Sequence, residues 1–421
     1  MGKGARDTKH DPYQALKFRG FRNFLTMRVF VTVAVQIQAV ILGWHIYTLT
    51  KDPLSLGFIG LAEAIPALSV ALIAGYIADH YNRKWLLRIS VLVMLVCSLI
   101  LLIVTYPPIA ETLSLKQSLF IFYTTIILIG FARGFYSPAA FSLISQLVPR
   151  SAFANSSTWN SSFWQASAIA GPAIGGLLYG FYGITVCFGL IALLHAGGVV
   201  LISFIYLLEK QTIPEKAENI IESLLQGIRF VFSTKMLLGA LTLDLFSVFF
   251  GGAVALLPVF ANDILNTGPQ GLGLLRAAPS VGAVLSMLFF AYNTPMNKPW
   301  RNLLIGVTGF GISIILFGLS KNFYLSLFFL FLSGGFDSVS VIIRSTILQL
   351  LTPDDMRGRV SAVNTMFIGS SNEIGAFESG LAAKMLGVIP SVIFGGSMTL
   401  MIAGITWVKT KDLLKVRFSG K

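Results

Sequence analysis

The sequence predicts an all-α membrane protein of twelve transmembrane helices, arranged as two pseudo-symmetric six-helix bundles. Three observations predict it. Of 421 residues, 55% are hydrophobic and 12% charged, and the mean hydropathy is +0.78, far from a soluble globular mix. About twelve stretches reach the roughly 20 apolar residues that a spanning helix needs. A repeat also runs through both halves: adding 204 takes Gly130 to Gly334, Pro149 to Pro353, Asn160 to Asn364, Gly171 to Gly375, Gly176 to Gly380 and Gly183 to Gly387. Six matches in one register, all at residues that shape the backbone or carry polarity, mark a duplication. Paired membrane halves of this kind surround a shared site near the midplane and rock about it.

In chain order, residues 1–23 form a cytoplasmic N-terminal segment. Spans at 24–49, 55–78, 85–106, 118–145, 158–180 and 184–208 build the first bundle, residues 24–208. The first apolar stretch is too long for a signal-peptide core and lacks a small-residue cleavage site, so it stays as a membrane helix. Residues 209–235 link the bundles. Within them Ile220, Ile221, Leu224, Leu225, Ile228, Val231 and Phe232 recur at helical spacing, opposite Glu218, Glu222 and Arg229. That stripe reads as an amphipathic helix on the inner leaflet, tethering the bundles, with a regulatory or partner-binding role as the alternative. Spans at 236–261, 271–292, 302–320, 323–350, 360–386 and 388–409 build the second bundle, residues 236–409, and 410–421 form a cytoplasmic tail. The short connections leave no room for a catalytic domain outside the bilayer.

A net charge of +13 would suit nucleic acid, but its placement does not. If the spans alternate, Lys17, Arg19, Arg22, Arg88, Arg150, Lys235, Arg301, Arg357, Arg359 and Lys411 fall on one side, while the other keeps little beyond Lys51, Lys116 and Lys321. This asymmetry puts both termini in the cytoplasm and the chain in the inner membrane, with no nucleic-acid partner. Cys97 and Cys187 lie inside apolar spans, so no disulfide, metal or redox role is expected. His45 has no second ligand at metal-binding spacing. The Asn155-Ser-Ser and Asn160-Ser-Ser triplets match a glycosylation pattern but face the cytoplasm in this topology, and read as decorative. No Gly-x-x-x-x-Gly-Lys-Ser/Thr loop is present, which excludes nucleotide hydrolysis as the energy source. No nucleophile–base set stands outside the membrane. An enzyme is not expected, nor a cofactor or bound metal.

Ionisable residues in apolar spans cost about 2.5–3.5 kcal/mol apiece on insertion scales, so each needs a reason. The acids are Glu63, Asp244, Asp337 and Glu373, and the bases are Arg133, Arg276 and Arg344. Glu63 and Asp244 are the leading proton carriers, with hydrogen-bonded structural acids as the alternative. Asp337 and Arg344 stand two turns apart on one face, so one serves transport while the other anchors. Glu373 and Glu378 approach the span centre without a clear partner. Gln36, Gln38, Trp44, His45 and Tyr47 occupy span one, and Phe246, Phe249 and Phe250 share a face of span seven. With Arg344, the residues Gln36, Gln38, Tyr47 and Phe249 are candidates for the wall of a solute cavity. The alternative for the aromatics is contact with lipid or neighbouring helices.

Two motifs carry a resemblance. Span two runs into Gly75-Tyr-Ile-Ala-Asp79-His80-Tyr-Asn82-Arg83-Lys84, and span five contains Ser167-Ala-Ile-Ala-Gly171-Pro172-Ala-Ile-Gly175-Gly176. The chain resembles the major facilitator superfamily, whose loop between helices two and three reads Gly-x-x-x-Asp-Arg-x-Gly-Arg-Arg/Lys. The second stretch is similar to the fifth-helix signature of that family's drug:proton antiporters, Gly-x-x-x-Gly-Pro-x-x-Gly-Gly. His80, Asn82 and Ser167 depart from these patterns, and residues 293–301 of the second half have lost the loop signature. The stretches Trp44-His-Ile-Tyr47, Gly60-Leu-Ala-Glu63-Ala-Ile-Pro66 and Gly375-Ala-Phe-Glu378-Ser-Gly380 look most like the branch of siderophore exporters of the enterobactin type, alongside macrolide and multidrug exporters.

The resemblance implies roles. Asp79 would face a helix N-terminus of the other bundle, a charge–dipole contact of about 0.3–1 kcal/mol, and Arg83 would add a cross-bundle ion pair. With Gly75 and Lys84 they form one gate, unless the basic residues only set topology. Gly171, Pro172, Gly175 and Gly176 make a smooth, kinked helix face suited to a sliding interface, or to static close packing. Gly375 and Gly380 repeat that face without the proline. Arg133, in Gly130-Phe-Ala-Arg133-Gly134, matches the arginine that the family associates with proton coupling, with a structural ion pair as the alternative. The expected protein is a monomeric transporter that exports a small amphiphile, drug-like or siderophore, by alternating access on the proton gradient. A facilitator or proton symporter importing a nutrient or lysolipid, and a non-transporting sensor or assembly partner, are the alternatives.

Overall fold

The computed structural model describes residues 11–208, 220–293, 295–353 and 356–415; side chains at 71, 72, 75, 76, 78–80, 220, 221, 223, 224, 358, 362 and 415 lie outside the described set. Its long helices are α1 (Arg19–Thr50), α2 (Pro53–His80), α3 (Arg83–Val104), α4 (Leu115–Leu143), α5 (Phe153–Ser203), α6 (Ile220–Ser233), α7 (Lys235–Phe250), α8 (Gly268–Tyr292), α9 (Pro299–Leu319), α10 (Phe323–Leu351), α11 (Arg357–Leu386) and α12 (Val388–Lys409). They follow the expected spans closely, because the termination signals are local. Asp52 accepts from Leu54 N at 3.1 Å with Pro53 opening α2, Ser114 and Gln117 form a capping box before α4, and Asn322 caps α10 through Tyr324 N and Leu325 N.

The fifth and sixth spans are one element, α5, bent at Gly183 with φ 78 and ψ 179. At 51 residues and ~1.5 Å rise it reaches ~76 Å, enough to cross a ~30 Å core twice. Its repeat mate Gly387 holds φ 94 and ψ 158 and turns α11 into α12. Both angles belong to glycine, so the duplication seen in sequence is a duplication of turns. The seventh span differs from expectation. It ends as a helix at Phe250 and continues through 251–264 as short irregular turns, because Gly251, Gly252 and Pro258 interrupt the ladder.

Packing repeats as well. In the first lobe α1 packs on the first arm of α5 and α2 on α4; in the second, α7 packs on α11 and α8 on α10. The lobes meet along α5–α8 and α2–α11. Gly171 and Gly375 lie against α1 and α7 of their own lobes, where an added Cβ would meet Gln36 Cβ at 2.5 Å and Phe249 O at 2.6 Å. Gly176 and Gly380 face the other lobe, where a Cβ would stand 2.4 Å from Pro269 O and 2.9 Å from Gly57 Cα. Helix association in lipid relies on such close approach, since lipid tails remove the hydrophobic drive.

Twelve crossings, α5 counted as two, put residues 11 and 415, the first and last described, on one face, here the terminal face. Cross-lobe contacts gather toward the opposite, far face. Val40 and Trp44 of α1 share an apolar core with Leu257, Phe260, Leu272 and Leu275 of the second lobe. Lys384 Nζ pairs with Asp52 at 2.9 Å, and Tyr47 donates its hydroxyl proton to Asp263. On the terminal face, Asn155 Nδ2 and Trp159 Nε1 donate to Pro12 O at 2.7 and 3.0 Å, and Ala15 N donates to Asn155 Oδ1. The Asn155 triplet therefore has a structural job: it straps residues 11–17 onto the start of α5.

Candidate functional site

Seven charges inside spans need partners, and the fold turns all seven toward one place. Glu63, Arg133, Asp244, Arg276, Asp337, Arg344 and Glu373 line a cavity of about 580 Å³ between the lobes. It lies on the terminal side of the far seal. A volume near this suits drug-sized ligands.

Each lobe supplies one ion pair. Arg133 of α4 pairs with Glu63 of α2, and Arg344 of α10 pairs with Asp244 of α7, which also accepts from Ser340 Oγ at 3.4 Å. The Asp244–Arg344 pair is 7% exposed on both sides. Pairing of this kind offsets the desolvation that each ion suffers away from water. Three charges stand outside these pairs. Asp337 makes no ion pair among the described residues. Arg276 of α8 donates from Nη1 to Ala39 O of α1 at 3.2 Å, crossing between lobes. Glu373 of α11 faces Arg133 and Arg276 beyond direct ion-pair contact.

A second, smaller chamber of about 120 Å³ adjoins the first on its far side. Gln38, Glu63, Arg276 and Glu373 give it polarity among apolar neighbours such as Leu42, Leu56 and Pro258.

Several expectations change here. Gln36 lines the main cavity, but Gln38 lines the smaller chamber. Tyr47 does not line either: its hydroxyl is taken by Asp263 at the far seal. Phe249 also misses the cavity, because its backbone receives Gly375 and its ring stands edge-on to Phe250. Trp44 belongs to the cross-lobe core, and His45 Nδ1 meets the Tyr179 hydroxyl at 3.1 Å. Glu63 and Asp244 are ion-paired, whereas Glu373, which lacked an evident partner in sequence, faces two arginines. Asp263, Asp52 and Lys384 were not singled out; charges beside loops give no signal until the lobes are docked.

The proposed gate divides. Gly75 and Asp79 fall in the last turns of α2, outside the residues whose side chains are described. Arg83 Nη1 donates to Ser142 O at 3.0 Å, and Lys84 Nζ to Ile205 O at 2.7 Å, both inside the first lobe. Those contacts pin the start of α3 to the ends of α4 and α5. Gly171 and Gly175 face α1, where Gly175 would meet Ile37, while Gly176 and the Pro172 carbonyl meet Gly273 of α8.

The family model described as Major Facilitator Superfamily matches residues 24–376. The chain is 26% identical over 414 residues to an enterobactin exporter of Shigella flexneri, covering 97% of this chain and 94% of that protein. Two solved folds are similar at 13% identity. A POT family transporter in complex with 5-aminolevulinic acid gives a TM-score of 0.74, covering 94% of this chain and 97% of that one. A bacterial homologue of the human lysosomal transporter Spinster gives 0.71, covering 99% and 100%.

Proposed function

Because the chain belongs to the major facilitator superfamily, and is a multi-pass membrane transporter rather than an enzyme, we propose that it exports a small amphiphile of the siderophore or drug-like class, driven by inward proton movement. The terminal face, with its basic residues, is the cytoplasmic face of the inner membrane. The far seal then closes the outer side, and the cavity loads from the cytoplasm. The protein works as a monomer without a bound cofactor.

One observation carries this reading. Seven charged residues from six different helices, Glu63, Arg133, Asp244, Arg276, Asp337, Arg344 and Glu373, converge on one cavity, with one ion pair in each lobe and Asp337, Arg276 and Glu373 outside the pairs. A closed structural core would pair its charges and leave no room. The relative's name, an enterobactin exporter, supports the siderophore class. One proton crossing 100 mV releases about 2.3 kcal/mol, enough for roughly a fifty-fold solute gradient.

The test uses everted vesicles with and without the protein. A pH gradient, acid inside, should drive enterobactin or ethidium into the lumen, and a protonophore should abolish the accumulation. Movement of solute and protons in the same direction, or accumulation indifferent to the protonophore, would refute the reading.

A further inference from the structure

Glu63 and Glu373 both line the two chambers, but Glu63 is paired with Arg133, whereas Glu373 faces an arginine of each lobe and has no direct salt-bridge partner among the described residues. Its surroundings come from every side. Arg133 and Glu63 face it from α4 and α2, Arg276 from α8, Asp337 and the paired Asp244 border the same cavity from α10 and α7, and Gln38 stands on α1. Glu63 already serves Arg133, so Glu373 is the acid left to bridge Arg133 of one lobe and Arg276 of the other.

The backbone at this level is a lobe contact. A Cβ on Gly60 of α2 would stand 2.9 Å from Glu373 O. The lobes therefore cannot part here without drawing Glu373 away from Arg133. Behind the carboxylate, on the far side, lies the 120 Å³ chamber, with room for a few waters. Gln38 borders it, 6% exposed, and its Oε1 is buried without a hydrogen-bond partner among the described residues. A buried acceptor left unmatched costs free energy unless a donor visits it.

We propose that Glu373 is the proton-carrying carboxylate and that this small chamber, with Gln38 as its acceptor, is where the proton arrives from the far face. The proposal rests on the proton-driven reading above. Hydronium in the chamber gives its proton to a Glu373 oxygen and leaves water, whose O–H donates to Gln38 Oε1. Charged, Glu373 attracts Arg133 and Arg276 together and holds the far seal. Neutralised, it no longer draws Arg276 toward Arg133, which stays with Glu63 in its own lobe; the cross-lobe Arg276–Ala39 contact then breaks and the lobes part at the far face. By reciprocity the far-open state takes the proton up and the far-closed state gives it to water of the main cavity. Each cycle so moves one proton toward the terminal face.

The test titrates the full-length protein in lipid nanodiscs by infrared difference spectroscopy, which needs no solute. A protonated-carboxyl band is expected that vanishes in Glu373→Gln, returns shifted in Glu373→Asp, shifts in Gln38→Leu and persists in Asp337→Asn. In proteoliposomes, proton-driven accumulation of enterobactin or ethidium by Glu373→Gln should fall to that of protein-free liposomes. An unchanged band, or undiminished accumulation, in Glu373→Gln overturns the assignment. Wild-type protein that shows the band but no proton-driven accumulation supports the proton site and refutes the export reading alone.

Discussion

Glycines on the two lobe seams should act on the conformational equilibrium, not on folding, and Gly176→Ala is the sharpest case. Its new Cβ would stand 2.4 Å from Pro269 O, 2.7 Å from Gly273 Cα and 2.9 Å from Gly273 N. All three are backbone or nearly so and cannot rotate away. Ordinary contact begins at 3.4 Å, so α5 and α8 must separate by up to 1 Å at this level. Overpacking of that size costs about 1–3 kcal/mol. Only the far-closed state meets the clash, so the far-open to far-closed ratio should rise about 5- to 150-fold. Gly380→Ala, whose Cβ approaches Gly57 only to 2.9 Å, belongs at the lower end and should add to Gly176→Ala, because the seams are separate. The control is Gly375→Ala: its clash with Phe249 O at 2.6 Å lies inside one lobe and is carried in both states. It should lower thermal stability and leave the equilibrium alone. Spin labels on Lys51→Cys and Lys321→Cys, exposed positions in opposite lobes on the far face, report the opening by pulsed electron resonance. The native Cys97 and Cys187 are buried and should stay unlabelled. A distance distribution unmoved by Gly176→Ala but altered by Gly375→Ala would show that the α5–α8 contact is not the seal.

Three further outcomes are expected. Asp244→Asn leaves Arg344 as an unmatched buried charge and should cost about 3–5 kcal/mol in detergent unfolding, most of it recovered by adding Arg344→Met. Lys384→Ala should favour the far-open state by only about 0.2–1 kcal/mol, because the side chains are 51% and 35% exposed; high salt should erase the difference, and exchanging the charges of Asp52 and Lys384 should restore the seal. Gly183→Ala should cost about 1–3 kcal/mol of stability through backbone strain alone, since nothing lies within 4 Å of its Cβ, and calorimetry should place Gly387→Ala in the same range.

The site was half legible in the sequence. Charges within apolar spans are conspicuous, and all seven reached the cavity. Their partnerships were not legible. Four acids and three bases allow twelve ion pairs, and the fold makes two direct ones, chosen by ångström-scale helix rotation. Tyr47 and Phe249 misled for a related reason: an aromatic on a membrane helix faces a cavity, a neighbour or lipid according to packing that spacing does not encode.

What the sequence by itself determined was the set of spans, their duplication and the glycine turns at 183 and 387. Lipid leaves backbone groups no partner except their own helix, so length and hydropathy suffice to mark each crossing, and a positive φ is written into the residue that tolerates it. Tertiary structure alone decided which glycines meet across the lobes, which end is sealed and which carboxylate faces two arginines. Those outcomes depend on contacts between residues up to 332 positions apart, as between Asp52 and Lys384, and on a balance of a few kcal/mol between two dockings of the same lobes.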